Sequence, residues 1–181
     1  IKRLFARGTK VGHAGTLDPF ATGVLLILVG PATKWAEALM GETKVYEATI
    51  KLGATTPTED PTSDETVTSN IAPIALDAIL STLPHFVGNI LQRPSAFSAL
   101  HVGGKRAYDL ARRGEAFVLE PRPVRIDAID ILGYCWPFLE VRVVCGRGTY
   151  IRALARDIGQ SLGVGGYLTQ LRRTRVGPDA P

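Results

Sequence analysis

The chain has 181 residues, 45% hydrophobic and 21% charged, with a net charge of +4, a balance suited to one folded domain with a sizeable core. Its longest strongly apolar run, Val24 to Val29, is far too short to span a bilayer, and the basic opening "IKRLFARGTK" has no signal-peptide core. Two cysteines, Cys135 and Cys145, make no disulfide framework; they are expected as reduced thiols of a cytoplasmic protein, with a cross-strand disulfide as the alternative.

In chain order, "KVGHAGTLDPFATG" from Lys10 sets a lone acid, Asp18, between a glycine-rich turn and apolar sequence. Pro19 fixes its own φ and biases Asp18 away from helix, while Gly15 permits turn conformations closed to other residues. A plain Asp-Pro turn is the competing reading. "ATGVLLILVG" reads as a buried strand bounded by glycine, and "PATKWAEALMGET" as a short helix with Pro31 near its start. "KVYEATIKLG" alternates, placing Tyr46, Ala48, Ile50 and Leu52 on one face and Val45, Glu47, Thr49 and Lys51 on the other, so it is a half-buried strand. "ATTPTEDPTSDE" reads as an exposed loop, and "IALDAILSTL" as a helix.

"LQRPSAFSALHVGGKRAYDLARRGE" mixes an extended piece, a Gly-Gly turn and a short basic helix from about Lys105. "RPVRIDAIDILGY" and "FLEVRVVCG" read as neighbouring antiparallel strands. "TYIRALARDIGQSLG" puts Ile151, Leu154, Ala155, Ile158 and Leu162 on one helical face, with Thr149 as N-cap and Gly163 as stop. "YLTQLRRTRVG" closes as a further strand. These elements predict a mixed α/β (α+β) fold with a largely antiparallel sheet.

Charge is unevenly spread. Pro57 to Leu91 carries five acids and no Lys or Arg, whereas Arg147 to Arg175 carries six arginines against Asp157 alone. One basic face for nucleic acid or phosphate fits this segregation, as does a pair of solvated helix faces. Several familiar sites are absent. "VGGKRA" has Ala99 and Arg106 where a P-loop needs Gly and Ser or Thr, and "GRGTYI" fails the dinucleotide fingerprint at Ile151. His13, His85 and His101 lack metal-ligand spacing, and no nucleophile elbow is present.

"GHAGTLDPFATGVLLILVGPATK" resembles the catalytic motif of the bacterial tRNA pseudouridine-55 synthase (TruB) family. The likeness continues in order through "KVYEATIKLGATTPTEDPTSDE", "RPSAFSALHVGGKRAYDLARRGE", "CGRGTYIRALARDIGQSLG" and "LTQLRRTRVG". It implies a pseudouridine synthase fold, a single catalytic domain over 1–181 with an RNA-gripping insertion at about 92–122, and isomerisation of uridine-55 in the T-loop of tRNA. It implies no metal and no cofactor. The chain begins at Ile1, and the family's N-terminal strand and C-terminal PUA-type region have no counterpart in it, so both ends are expected to be incomplete.

By this resemblance Asp18 is the catalytic carboxylate, and Arg152 is the arginine that pairs with it and holds it ionised and in place. Tyr46 is the tyrosine that stacks on the target base and assists proton removal at C5, although its strand face equally suits a core tyrosine. Tyr150 is a second active-site aromatic, and Leu171 packs near the base. His13 fills the space left in the T-loop by the extruded base. Lys105 and Arg106, with Arg112 and Arg113, meet RNA phosphates. The expected partner is tRNA alone, bound by a monomer without a protein partner or membrane. Two other readings are a non-catalytic RNA-binding or tRNA-folding module and a guide-RNA-dependent relative within a ribonucleoprotein.

Overall fold

The computed structural model describes residues 1–68, 72–98 and 100–178. Ala99, inside the basic insertion motif, and positions 179–181 of the expected domain lie outside the described residues. In chain order the strands and helices are β1 (Val11–His13), β2 (Thr22–Gly23), β3 (Ile27–Val29), α1 (Ala36–Gly41), β4 (Lys44–Leu52), β5 (Ala54–Thr55), β6 (Thr66–Val67), α2 (Leu76–Thr82), β7 (Gly88–Gln92), β8 (His101–Val102), β9 (Lys105–Arg106), α3 (Ala107–Arg112), β10 (Arg122–Cys135), β11 (Phe138–Cys145), α4 (Ile151–Ser161) and β12 (Gly166–Val176).

Six strands form the main sheet in the order β2-β12-β4-β11-β10-β7. All its pairings are antiparallel except β2 with β12. The alternation in β4 holds for Tyr46, Ala48, Ile50 and Leu52, which are all buried, but Val45 on the opposite face is buried as well. Leu139, Val141, Val143 and Cys145 of β11 bury the matching positions, and α4 lays Ile151, Leu154, Ala155 and Ile158 over them. Each fully buried aliphatic side chain here contributes about 1.5–3 kcal/mol by leaving water.

Two glycines let α4 sit on the sheet at backbone distance. A Cβ on Gly159 would stand 2.3 Å from the Gly165 carbonyl carbon, and one on Gly166 would stand 2.8 Å from the Ala155 oxygen. Gly159→Ala is therefore expected to cost about 1–3 kcal/mol of stability through overpacking. Chemical denaturation checks this, with the midpoint lowered and the denaturant slope unchanged.

Four local expectations need correction. The apolar run after Asp18 is not one buried strand: β2 and β3 are separate short strands pairing with different partners, and only Leu28 within the run is buried. The loop after β4 is not wholly exposed, because Thr56 and Asp60 are buried. The basic helix begins at Ala107, since Lys105 and Arg106 pair with His101 and Val102 in a hairpin. Finally, the N-cap of α4 is Tyr150, with no side-chain cap. Thr149 instead donates its hydroxyl to the Gly146 carbonyl at 3.2 Å, with the Arg125 carbonyl at 3.5 Å as the alternative acceptor. The thiols Cys135 and Cys145 are both free.

Candidate active site

Asp18 sits on a loop whose base is fixed at both ends. The hairpin of β1 and β3 closes one side, continued by the Ala14 N–H donating to the Leu26 carbonyl at 3.0 Å. On the other side β2 joins the main sheet opposite Arg172 and Arg173. Between them, Ala21 N–H donates to the Asp18 carbonyl at 2.9 Å, closing a tight turn in which Pro19 supplies the preset φ. Leu17, Phe20 and Ala21 pack against the core. Gly15 has φ +92°, the left-handed conformation its residue type permits. The Asp18 side chain remains 30% exposed, between the exposed Thr16 and Pro19.

Arg152 comes from the first turn of α4 and is 95% buried at its side chain, given an exposure of 5%. Its Nε donates to Asp18 Oδ2 and its Nη2 to Asp18 Oδ1, both at 3.0 Å, a two-pronged clamp that fixes the carboxylate plane. Nη1 donates to the Thr58 carbonyl at 3.0 Å and to Ser95 Oγ at 3.2 Å, and Nη2 also donates to the Phe97 carbonyl at 2.9 Å. Every N–H of the guanidinium is thereby used. A second carboxylate, Asp60 Oδ2, lies 3.4 Å from Nη1. Its other oxygen accepts from Thr58 Oγ1 and from the Thr62 N–H. A cation in a helix's first turn is disfavoured by the helix dipole; two carboxylates and three further acceptors outweigh that small penalty.

One turn along α4, Arg156 repeats the pattern, donating to Glu59 at 2.6 Å and to the Arg93 carbonyl at 2.7 Å. The two arginines fasten the 56–63 loop and the start of the 93–121 segment to one helix.

Tyr46 and Tyr150 lie within electrostatic reach of Asp18, and Leu171 belongs to the same buried core cluster as Tyr46. Tyr46 lies opposite Arg173 across β4 and β12, and Leu171 lies opposite Ala48 on the same strands. Burial raises the Tyr46 phenol above its ordinary pKa, against the opposing pull of the Arg173 guanidinium, with a further raising contribution from Asp18. Burial likewise raises Tyr150, opposed by Arg152 and Arg122. Both phenols therefore carry their protons at neutral pH. The Tyr150 backbone is held by buried Gln92, whose Oε1 accepts the Tyr150 N–H at 2.9 Å and whose Nε2 donates to the Tyr150 carbonyl at 3.2 Å. That N–H is thus already occupied, leaving less of the glycine-rich turn free for a phosphate.

The other sequence-expected residues stand apart. His13 is exposed at the end of β1, and Lys105 and Arg106 are exposed on the β8–β9 hairpin. Among the described residues, no hydrogen bond or ion pair joins any of the three to Asp18 or Arg152. Three residues were overlooked by sequence reasoning: Asp60, Gln92 and Arg173, all buried. Only Arg173 left a trace, since strict alternation from Leu171 puts it on the same inward face.

The chain as a whole has known relatives. The family described as TruB family pseudouridylate synthase (N terminal domain) matches residues 2–151, and the tRNA pseudouridylate synthase B C-terminal domain matches residues 152–179. The chain belongs to the TruB family of pseudouridylate synthases. It is 51% identical over 176 residues to the tRNA pseudouridine synthase B of Bacteroides fragilis, covering 97% of this chain and 76% of that protein. The corresponding protein of Corynebacterium aurimucosum is 47% identical over 180 residues, with 97% of this chain and 61% of that protein covered. The chain thus spans about three quarters of the first of these proteins and about three fifths of the second.

Among solved structures, a chain of a Cbf5-Nop10-Gar1 complex aligns with TM-score 0.68 at 32% identity, covering 93% of this chain and 41% of that one. A chain of an H/ACA RNP bound to a substrate RNA containing 2'-deoxyuridine aligns with TM-score 0.65 at 30% identity, covering 93% and 39%. The pseudouridine synthase fold expected of a TruB member is the one observed. The two TruB matches meet between Ile151 and Arg152, inside the first turn of α4, and β12 from the second shares the sheet with β4 from the first.

Proposed function

We propose that the chain isomerises uridine-55 in the T-loop of tRNA to pseudouridine, with Asp18 as the catalytic carboxylate. The observation that carries this reading is the two-pronged contact at 3.0 Å between Asp18 and Arg152, residues 134 positions apart. Bacterial relatives named tRNA pseudouridine synthase B, at 47–51% identity, support the reaction and the substrate.

The reaction breaks the C1′–N1 bond, turns the uracil and forms a C1′–C5 bond; N1 gains a proton and C5 loses one. No water is consumed, so the paired carboxylates of ordinary glycoside hydrolysis are unnecessary and one acid suffices. Asp18 is held as a rigid carboxylate, able to attack the sugar or the ring or to take a sugar proton. Arg152 sets its orientation. Tyr46 and Leu171 form the wall against which the extruded base rests, and Tyr46, protonated at rest, assists removal of the C5 proton by passing it onward. Tyr150 supplies a second aromatic surface. His13 occupies the space vacated in the T-loop, offsetting a few kcal/mol of unstacking.

In this proposal the catalytic domain spans 1–181 with its RNA-gripping insertion at about 92–122. It acts on tRNA as a cytoplasmic monomer, without metal, cofactor or protein partner. No helix among the described residues is long and apolar enough to cross a membrane. Lys105 and Arg106 contact phosphates from their hairpin. Lys105 lies 3.7 Å from Glu115, while Arg106 rests over the Tyr108 ring at 5.9 Å. Lys105→Ala or Arg106→Ala is expected to weaken tRNA binding at low salt and to reduce the log Kd against log salt slope by about 1 each. Filter binding across a salt series measures it.

Incubation with an unmodified tRNA transcript, followed by mapping of pseudouridine, tests the function. A single modified position in the T-loop is expected without any guide RNA. Bound but unmodified tRNA would instead indicate a folding module, and modification only with a guide would indicate a ribonucleoprotein component.

A further inference from the structure

We infer that Arg173 is a positioning residue for the reaction: from beneath the Asp18 loop its guanidinium holds the carboxylate-bearing turn and Tyr46 in fixed relation to one another. This deepens the assignment of Asp18 and rests on it. Arg173 is 1% exposed, the largest fully buried side chain among the described residues. Its Nε donates to the Val24 carbonyl at 2.8 Å, Nη1 to the Thr16 carbonyl at 3.4 Å and Nη2 to the Gly15 carbonyl at 3.3 Å. Gly15 and Thr16 precede Asp18 and Val24 follows it, so one planar group spans both arms of the loop. Its own carbonyl accepts the Val24 N–H at 2.8 Å. Gly23 makes that approach possible, because a Cβ there would lie 2.1 Å from the Arg173 oxygen.

The charge is what calls for an explanation. Arg152 and Arg156 both face carboxylates, whereas among the described residues Arg173 forms no ion pair. A buried guanidinium without a counter-ion is costly, and an apolar side chain would fill a β12 core position more cheaply. Three converging carbonyl oxygens make use of several of its donors, and an ammonium could not reach them with the same planar fork. Arg173 is also the cross-strand partner of Tyr46 on β4, and its guanidinium opposes the effect of burial on the phenol. What Arg173 grips is thus the loop and the ring proposed to meet the substrate.

The test compares Arg173→Met and Arg173→Lys with the parent and Asp18→Asn, using single-turnover conversion of a tRNA transcript, transcript Kd and thermal melting. A displacement of reacting groups by about 1 Å costs on the order of 100-fold in rate, and a loss of that size is expected for Arg173→Met with Kd little changed. Arg173→Lys should recover part of the loss. The Tyr46 phenol, followed by 13C-tyrosine NMR, should titrate higher in Arg173→Met, a change that general loosening would not produce. Parent-like rates in a folded variant would overturn the inference. So would two variants that both fail to fold, since the arginine would then hold the fold rather than the site. If Asp18→Asn itself remains active, the Asp18 assignment fails; if it is inactive while the Arg173 variants match the parent, only this inference does.

Discussion

Asp18→Asn is expected to bind a tRNA transcript about as tightly as the parent and to convert it at least about 10⁴-fold more slowly, a loss of the size seen when a single essential catalytic group is removed. The substitution is nearly isosteric, so the loop and its turn should survive. The chemistry should not. Both Asp18 oxygens accept from Arg152 in the parent, and an amide offers one acceptor and sets its NH₂ against a guanidinium N–H. The side chain must rotate away, and no negative charge remains to act on the sugar or the ring. Stability should fall only modestly, because Asp18 is 30% exposed and Asp60 still faces Arg152. Filter binding, single-turnover conversion and melting separate the three effects.

Arg152→Met is expected to damage both fold and rate. Removing one partner of a buried ion pair costs about 3–5 kcal/mol, since the remaining charge is stranded. Here the stranded group is Asp60, whose side chain is 8% exposed, and the Thr58 and Phe97 carbonyls and the Ser95 hydroxyl lose a donor as well. Adding Asp60→Asn should restore part of the stability while leaving the rate low, because it relieves the stranded carboxylate but does not re-aim Asp18. Two such coupled sites are not expected to behave additively. Denaturant unfolding of the single and double variants, with single-turnover rates, checks this.

The sheet was legible where one face is buried and the other wet. The alternation in "KVYEATIKLG" announces β4 and its core positions, and the periodicity after Tyr150 announces α4. The run after Asp18 misled because apolar composition alone cannot say that Thr22–Gly23 pairs with one strand and Ile27–Val29 with another. Charge misled for a related reason. The acidic stretch from Pro57 and the arginines after Arg147 read either as one basic face or as a pair of solvated helix faces, yet Asp60 and Glu59 are partners of Arg152 and Arg156 inside the molecule. Part of the apparent charge segregation is therefore one internal network split across distant sequence.

The candidate site was legible through ordered motifs, not through pattern. Nothing in the spacing of Asp18 and Arg152 requires them to meet; the sheet and α4 bring them together. Asp60 and Gln92 left no local mark, because their roles come from packing against α4. Arg173 is different. Its phase with Leu171 places it on the buried face, where a cation is rare enough to be a signal in itself.

Forming the C1′–C5 bond must expel the hydrogen at C5, so release of tritium from a tRNA transcript labelled at C5 of uridine tests the central claim most directly. The account predicts one equivalent released per transcript by the parent chain, and essentially none by Asp18→Asn at equal occupancy. Release by Asp18→Asn at the parent rate, or none from parent protein saturated with the transcript, would contradict it.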